Sequence, residues 1–235
     1  MEIKGFIGVS LVDWDGKVAS VMFLPGCNLR CPFCYNTKLV LQPAQLSTIQ
    51  SEKIWKYLTK NKDWIDGVVI TGGEPTVHED FPILCQEIKK LGFSIKLDTN
   101  GTNPLMTREL IEKALVDYVA MDVKAAFNEE KYSQAAGINS ALLLQKIEQT
   151  TQTLLEGRVD YEFRTTLVPT MHKISDIEEI CEKIKGCKKY VLQNFRVGVE
   201  TINPDFQKLN AFLNKEVDSF FRAAKKLVPN TILRK

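Results

Sequence analysis

A repeated alternation of short apolar runs with helical patterns constrains this chain more than any other feature. The runs fall at 18–24 (VASVMFL), 67–70 (GVVI), 93–97 (FSIKL), 118–123 (YVAMDV), 160–167 and 189–195. The segments between and after them, at 47–60, 81–91, 105–115, 140–155, 174–185 and 206–227, place apolar residues at helical spacing. Strands alternating with helices of this length predict βαβ units and a parallel sheet. Near-continuous Val, Ile and Leu in several runs predicts strands covered on both faces. A closed eight-unit barrel takes about 250 residues. With 235 residues and a long loop after the first run, the chain fits an α/β partial (β/α)6 TIM-like barrel of parallel strands. The preceding GFIGVSLVDWDGKVASV reads as a short N-terminal hairpin on its edge. No linker-like stretch divides the chain, so a single domain over 1–235 is expected, with its core barrel at about 17–227.

Composition narrows the class. A chain that is 44% hydrophobic and 26% charged can bury a sizeable core and is not disordered. Lys+Arg 31 against Asp+Glu 29 gives no electrostatic footprint for nucleic acid or an anionic membrane, so neither partner is expected. The start, MEIKGFIGVS, has no apolar signal-peptide core, and no run approaches the ~18 apolar residues of a membrane span. The expectation is a soluble cytoplasmic protein.

Polar residues gather where the predicted strands end: Thr71-Gly72-Gly73-Glu74, Asp98-Thr99-Asn100-Gly101, Asp122 with Lys124, Arg164-Thr165-Thr166, and Gln193-Asn194 with Arg196. Parallel strands would put these groups on one rim, where α/β sheets carry their chemistry. Any one of these sets could be a turn or cap, but five in succession favour a site.

Three of the six cysteines, Cys27, Cys31 and Cys34, lie within eight residues directly after the first strand. With no signal peptide and a long chain, a disulfide framework does not fit. A structural zinc site needs four ligands, and no fourth Cys or His is nearby; the chain has only His78 and His172. A cubane iron–sulfur cluster usually takes four cysteines. Three would leave one iron open to bind something else. Cys85, Cys181 and Cys187 read as buried structural thiols, and His78 and His172 as surface or capping residues. Lys56, Lys60, Lys62, Lys225 and Lys226 read as solvated helix faces.

The C-x3-C-x-(aromatic)-C loop, with Phe33 as the aromatic, resembles the radical S-adenosylmethionine (SAM) superfamily, and Gly72-Gly73-Glu74-Pro75 resembles its GGEP element. The resemblance implies a [4Fe-4S] cluster on Cys27, Cys31 and Cys34, with the open iron chelated by the amino and carboxylate groups of SAM. Gly72 and Gly73 would let backbone approach the ligand, Glu74 would accept from the SAM ammonium, and Phe33 would pack beside the adenine. Asp98, Thr99, Asn100, Asp122, Lys124, Arg164 and Gln193 complete the expected SAM-binding set. Asp98 and Asp122 would repel each other unless a cation intervenes, and a bound monovalent cation could complete the balance, with Lys124 and Arg164 meeting the SAM carboxylate. Asp98 could instead only cap its turn.

Over residues 5–200 or so, SLVDWDGKVASVMFLPGCNLRCPFC, GVVITGGEPT, KLDTNGTNP, LVDYVAMDVKA, DYEFRTTLVP and YVLQNFRVG resemble the anaerobic ribonucleoside-triphosphate reductase activating protein family. One departure is Tyr35, where His is expected; Asn36 fits. That resemblance implies an enzyme in which a reduced cluster cleaves SAM and the 5′-deoxyadenosyl radical takes a Cα hydrogen from a glycine. Its partners would be a large anaerobic ribonucleotide reductase and a one-electron donor such as flavodoxin or ferredoxin. A different glycyl-radical enzyme or a small-molecule substrate is the alternative.

Overall fold

The structure is a computed structural model and describes residues 1–234. Its strands follow chain order in one eight-stranded sheet, and the chain forms two compact units.

The first unit comprises residues 1–28, 36–99 and 105–120. Strand β1 (Gly5–Ser10) pairs antiparallel with β2 (Ala19–Leu24), which is the hairpin expected from the sequence. Helices α1 (Thr37–Leu41) and α2 (Ser51–Lys60) lead to β3 (Gly67–Gly72), which runs parallel to β2. Helix α3 (Phe81–Lys90) leads to β4 (Ser94–Thr99), parallel to β3. Helix α4 (Pro104–Glu112) follows, and β5 (Tyr118–Asp122) has residues 118–120 here. Val68, Val69 and Ile70 of β3 are all fully buried, which explains their unbroken apolar run. Trp14, from the β1–β2 connection, packs with Ala19, Val21 and Val69 against Phe23 and Tyr118. Leu24 stands opposite Gly72, so β2 and β3 end level and deliver the segments beginning at Pro25 and Gly73 side by side.

The second unit comprises residues 29–35, 100–104 and 121 onward. It holds α5 (Glu129–Ala136), α6 (Leu143–Leu155), β6 (Asp160–Leu167), α7 (Ile174–Lys183), β7 (Tyr190–Asn194), α8 (Asn214–Leu227) and β8 (Thr231–Arg234). β6, β7 and β8 run parallel. Phe163, Leu192, Ile177, Ile180 and Phe220 are buried here between strands and helices.

Three elements lay outside the sequence expectation. α1 is only five residues long, too short to show a period. α5 is polar (EEKYSQAA), and its ends carry the signal instead: Asn128 Oδ1 accepts the Lys131 N–H, and Gly137 closes the helix at φ +66°. β8 is a four-residue strand at the end of the described chain, and its Arg234 reaches the buried Glu162, which Lys189 also pairs. The helix expected from 206 begins only at Asn214. Asn203 instead caps a short 3-10 helix at Pro204–Lys208, and Leu209 and Leu213 are extended. No described helix is long and apolar enough to cross a membrane.

Candidate functional site

In the first unit, the segment before Cys27 and the end of β3 meet backbone to backbone. Gly73 N–H donates to Leu24 O (2.9 Å), Glu74 N–H to Gly26 O (2.8 Å), and Gly26 N–H to Leu39 O (2.8 Å). A Cβ on Gly73 would lie 1.6 Å from Gly26 O. One on Gly72, at φ +115°, would lie 2.6 Å from the Leu24 backbone. The sequence reading assigned these glycines to the approach of a ligand; the structure shows that the chain's own fit already requires them. Asn36 Nδ2 donates to Gly72 O (2.7 Å), tying the chain beyond the cysteine loop to the same strand end. His78 has the capping place that was expected: it closes the 3-10 helix at Pro75–Val77, is half-buried, and its Nε2 donates to Pro25 O (2.7 Å).

Glu74 is buried, and its Oε1 accepts from Thr76 N (3.1 Å), Thr76 Oγ1 (2.6 Å) and Thr99 Oγ1 (2.7 Å). That oxygen joins the end of β3 to the end of β4. Asp98 pairs with Lys96 (3.5 Å), whose ammonium also donates to Asp13 O and lies over the Tyr118 ring.

In the second unit, Cys34 N–H donates to Cys31 O (3.0 Å), a turn with Pro32 and the half-buried Phe33 at its apex. Two segments clamp it. Arg30 N–H donates to Ala136 O (2.8 Å) at the end of α5, while Ile202 and Asn203 N–H donate to Cys34 O and Pro32 O (both 3.0 Å). Asn100 Oδ1 accepts from Thr102 N (3.0 Å) and Oγ1 (2.6 Å), so Asn100 is a side-chain acceptor for the turn after β4.

Asp122 lies between two cations: Arg164 Nε at 2.8 Å and Lys124 Nζ at 3.2 Å. Burial pushes the Asp122 carboxyl up, but Arg164 and then Lys124 outweigh it and hold the group down at about 2. Burial likewise works against the Lys124 ammonium, and Asp122, followed by Cys31, more than reverses it, so Lys124 stays charged. Asp98 and Asp122 each have a cationic side chain of the protein beside them. Lys124 and Arg164, expected to face a SAM carboxylate, are both engaged with Asp122. Gln193 Nε2 donates to Thr166 Oγ1 (2.8 Å). His172, expected at the surface or as a cap, is only 4% exposed. Its Nδ1 accepts from Val168 N–H (2.9 Å) and its Nε2 faces Lys124 O (3.1 Å). Lys124 N–H donates to the Tyr132 hydroxyl (3.3 Å).

The other three cysteines are buried, and burial pushes their thiols up, Cys85 and Cys181 to about 12 and Cys187 to about 11. They rest protonated, as structural thiols should.

A model described as the Radical SAM superfamily matches residues 21–173. The chain belongs to that superfamily. A candidate glycyl-radical enzyme activating enzyme of Methanocaldococcus jannaschii is 33% identical over 99% of this chain and 95% of its own. A pyruvate formate-lyase-activating enzyme of Clostridium pasteurianum is 24% identical over 87% of this radical SAM chain and 88% of its own. Among solved structures, Streptococcus suis SuiB bound to S-adenosylmethionine superposes with a TM-score of 0.66 at 15% identity, over 92% of this chain. This chain spans about half the length of that protein (52%), and the likeness is one of fold.

Proposed function

We propose that this radical SAM enzyme activates a glycyl-radical enzyme, and that its target is an anaerobic ribonucleoside-triphosphate reductase. The observation that carries the reading is the C-x3-C-x2-C loop, braced from the β3 end before Cys27 and from α5 and residues 202–203 around Cys31 and Cys34. Three cysteines at C-x3-C-x2-C spacing are the donor type and number that a [4Fe-4S] cluster with one open iron takes, and Cys27, Cys31 and Cys34 would be its ligands. Bound there, the cluster and SAM supply the one-electron cleavage that ends in hydrogen abstraction from glycine.

The chain's own residues bind and orient. The Gly72-Gly73 turn presents backbone to SAM, Glu74 and Thr99 hold that turn, and Phe33 packs beside the adenine. Lys124 and Arg164, poised on Asp122, would meet the SAM carboxylate, and Asp98, Asn100 and Gln193 are further SAM-binding residues under this reading. Residues 1–235 act as one catalytic domain, a flavodoxin- or ferredoxin-class donor supplies the electron, and docking to the reductase is transient. The near full-length match to the Methanocaldococcus protein supports the activating role, and the motif set of residues 5–200 or so supports the reductase as target.

The test begins with anaerobic reconstitution, which should load about four irons per chain. Alanine at Cys27, Cys31 or Cys34 should abolish SAM cleavage, whereas alanine at Cys85, Cys181 or Cys187 should not. Mixed with SAM, a reductant and the candidate reductase, the protein should give a glycyl doublet in electron paramagnetic resonance that collapses on Cα deuteration. SAM cleavage at an unchanged rate with no glycyl signal would overturn the target and leave a small-molecule substrate as the leading reading.

A further inference from the structure

The main chain of Lys124 is held from both sides by buried side chains of the second unit. His172 lies between β6 and α7, and burial keeps its ring neutral, by lowering its pKa. A neutral imidazole has one acceptor nitrogen and one donor nitrogen. Nδ1 accepts the Val168 N–H, so the proton is on Nε2 and is donated to Lys124 O. From the other side, the buried Tyr132 hydroxyl accepts the Lys124 N–H. The Lys124 side chain, meanwhile, is drawn to Asp122. A lysine is a flexible four-carbon stem, and where its ammonium reaches depends on where its backbone is fixed.

We propose that His172 is a positioning residue for SAM binding: by gripping the Lys124 carbonyl it fixes the base from which the Lys124 ammonium reaches the SAM carboxylate, with Tyr132 as the second support. This rests on the placing of Lys124 at SAM under the proposed function. A loose Lys124 would still be charged, but its ammonium would spread over more positions, and part of the binding energy would go into ordering it.

The experiment is a double-mutant cycle on cluster-loaded protein, read as the equilibrium dissociation constant for SAM, with iron content and the thermal midpoint recorded for each variant. Lys124→Met removes the ammonium and keeps the stem's bulk. His172→Phe keeps a ring and removes both hydrogen bonds, while His172→Gln keeps an N–H donor for the Lys124 carbonyl. His172→Phe should weaken SAM about five- to ten-fold, the range a lost hydrogen bond covers. His172→Gln should recover most of that loss. In the Lys124→Met background, His172→Phe should change SAM affinity by less than about two-fold. A purely structural histidine would lower the thermal midpoint and weaken SAM equally in both backgrounds, and that equality overturns the inference. So does unchanged affinity in His172→Phe while Lys124→Met binds weakly. If Lys124→Met binds SAM as the wild type does, the placing of Lys124 falls and the inference falls with it. Should His172→Phe fail to fold, Tyr132→Phe takes its place: it should weaken SAM, and that loss should vanish in the Lys124→Met background.

Discussion

At the end of β3, two glycines let one stretch of backbone lie against another, and the bonds there run from Gly73 and Glu74 N–H to carbonyls of Leu24 and Gly26. At the end of β5, the joining is done by charge, with Asp122 between Arg164 and Lys124 and with His172 and Tyr132 gripping the Lys124 peptide. The first arrangement depends on the absence of side chains and tolerates no added atom. The second depends on side chains that are partly hydrated, so losing one group weakens it without dismantling it. The glycine fit braces the chain just before Cys27, whereas the charged network ties the end of β5 to Arg164 of β6. Substitution at each should therefore fail differently.

The largest effect is expected at Gly73→Ala. Its Cβ would sit 1.6 Å from Gly26 O, a distance that forces one backbone away from the other. The cost should reach about 4 kcal/mol, the range reserved for steric conflicts that a core cannot relax. Because Gly26 precedes Cys27, iron loading should fall with stability. Iron per chain after anaerobic reconstitution, together with the urea midpoint, checks this, and full loading at an unchanged midpoint would show that the backbone fit is softer than it looks.

A smaller, pH-dependent effect is expected at Asp122→Asn. It leaves Lys124 and Arg164 facing each other with side chains 14% and 13% exposed. Asp122 itself keeps 34% of its side chain in water, so the loss should be about 1–3 kcal/mol and not the full cost of a buried pair. The folded carboxyl is held at about 2, below the ordinary value near 3.9. A depressed folded pKa contributes stability that is present above the unfolded value and lost as pH falls through the folded one. The gap between wild type and Asp122→Asn should thus be constant above about pH 5 and close between about pH 4 and pH 2. The cost of Gly73→Ala involves no proton and should not change across the same range. Chemical denaturation of the two variants at a series of pH values separates the arrangements, and parallel pH curves for both would break the comparison.

The two regions also differ in how far they could be read in advance. Gly72-Gly73-Glu74 is contiguous, so the motif and its place at a strand end were visible in the sequence. Its reason was not, because the partner, Gly26, lies more than forty residues earlier in the chain. Asp122, Lys124 and Arg164 were visible as strand-end residues, but which of them pair depends on a register that composition does not encode. His172 and Tyr132 carried no period or motif; both are buried, and their hydrogen bonds to Lys124 are visible only in the fold. The parallel core strands were legible because burial on both faces writes an unbroken apolar run. α5 was not, because its polar face hides the period and only Asn128 and Gly137 mark its ends.

The smallest effect is expected at Tyr35, which stands where the reductase-activating resemblance leads one to expect His. Tyr35 follows the third cysteine, is 55% exposed, and has the Arg196 guanidinium 5.9 Å from its ring centre. A cation over an exposed aromatic ring is worth about 0.5–1 kcal/mol, and hydration takes part of that. It belongs neither to the glycine fit, which reaches the neighbouring Asn36 through Gly72 O, nor to the Asp122 ion pairs. Tyr35→His should therefore lower stability by about 0.5 kcal/mol at most and leave iron loading and SAM affinity as they are. Loading of the variant, measured beside Asn36→Ala, which loses the bond to Gly72, decides the matter. If Tyr35→His loses iron as readily as Asn36→Ala, the residue after the third cysteine is part of the brace, and the boundary between the two regions runs through Tyr35 and Arg196.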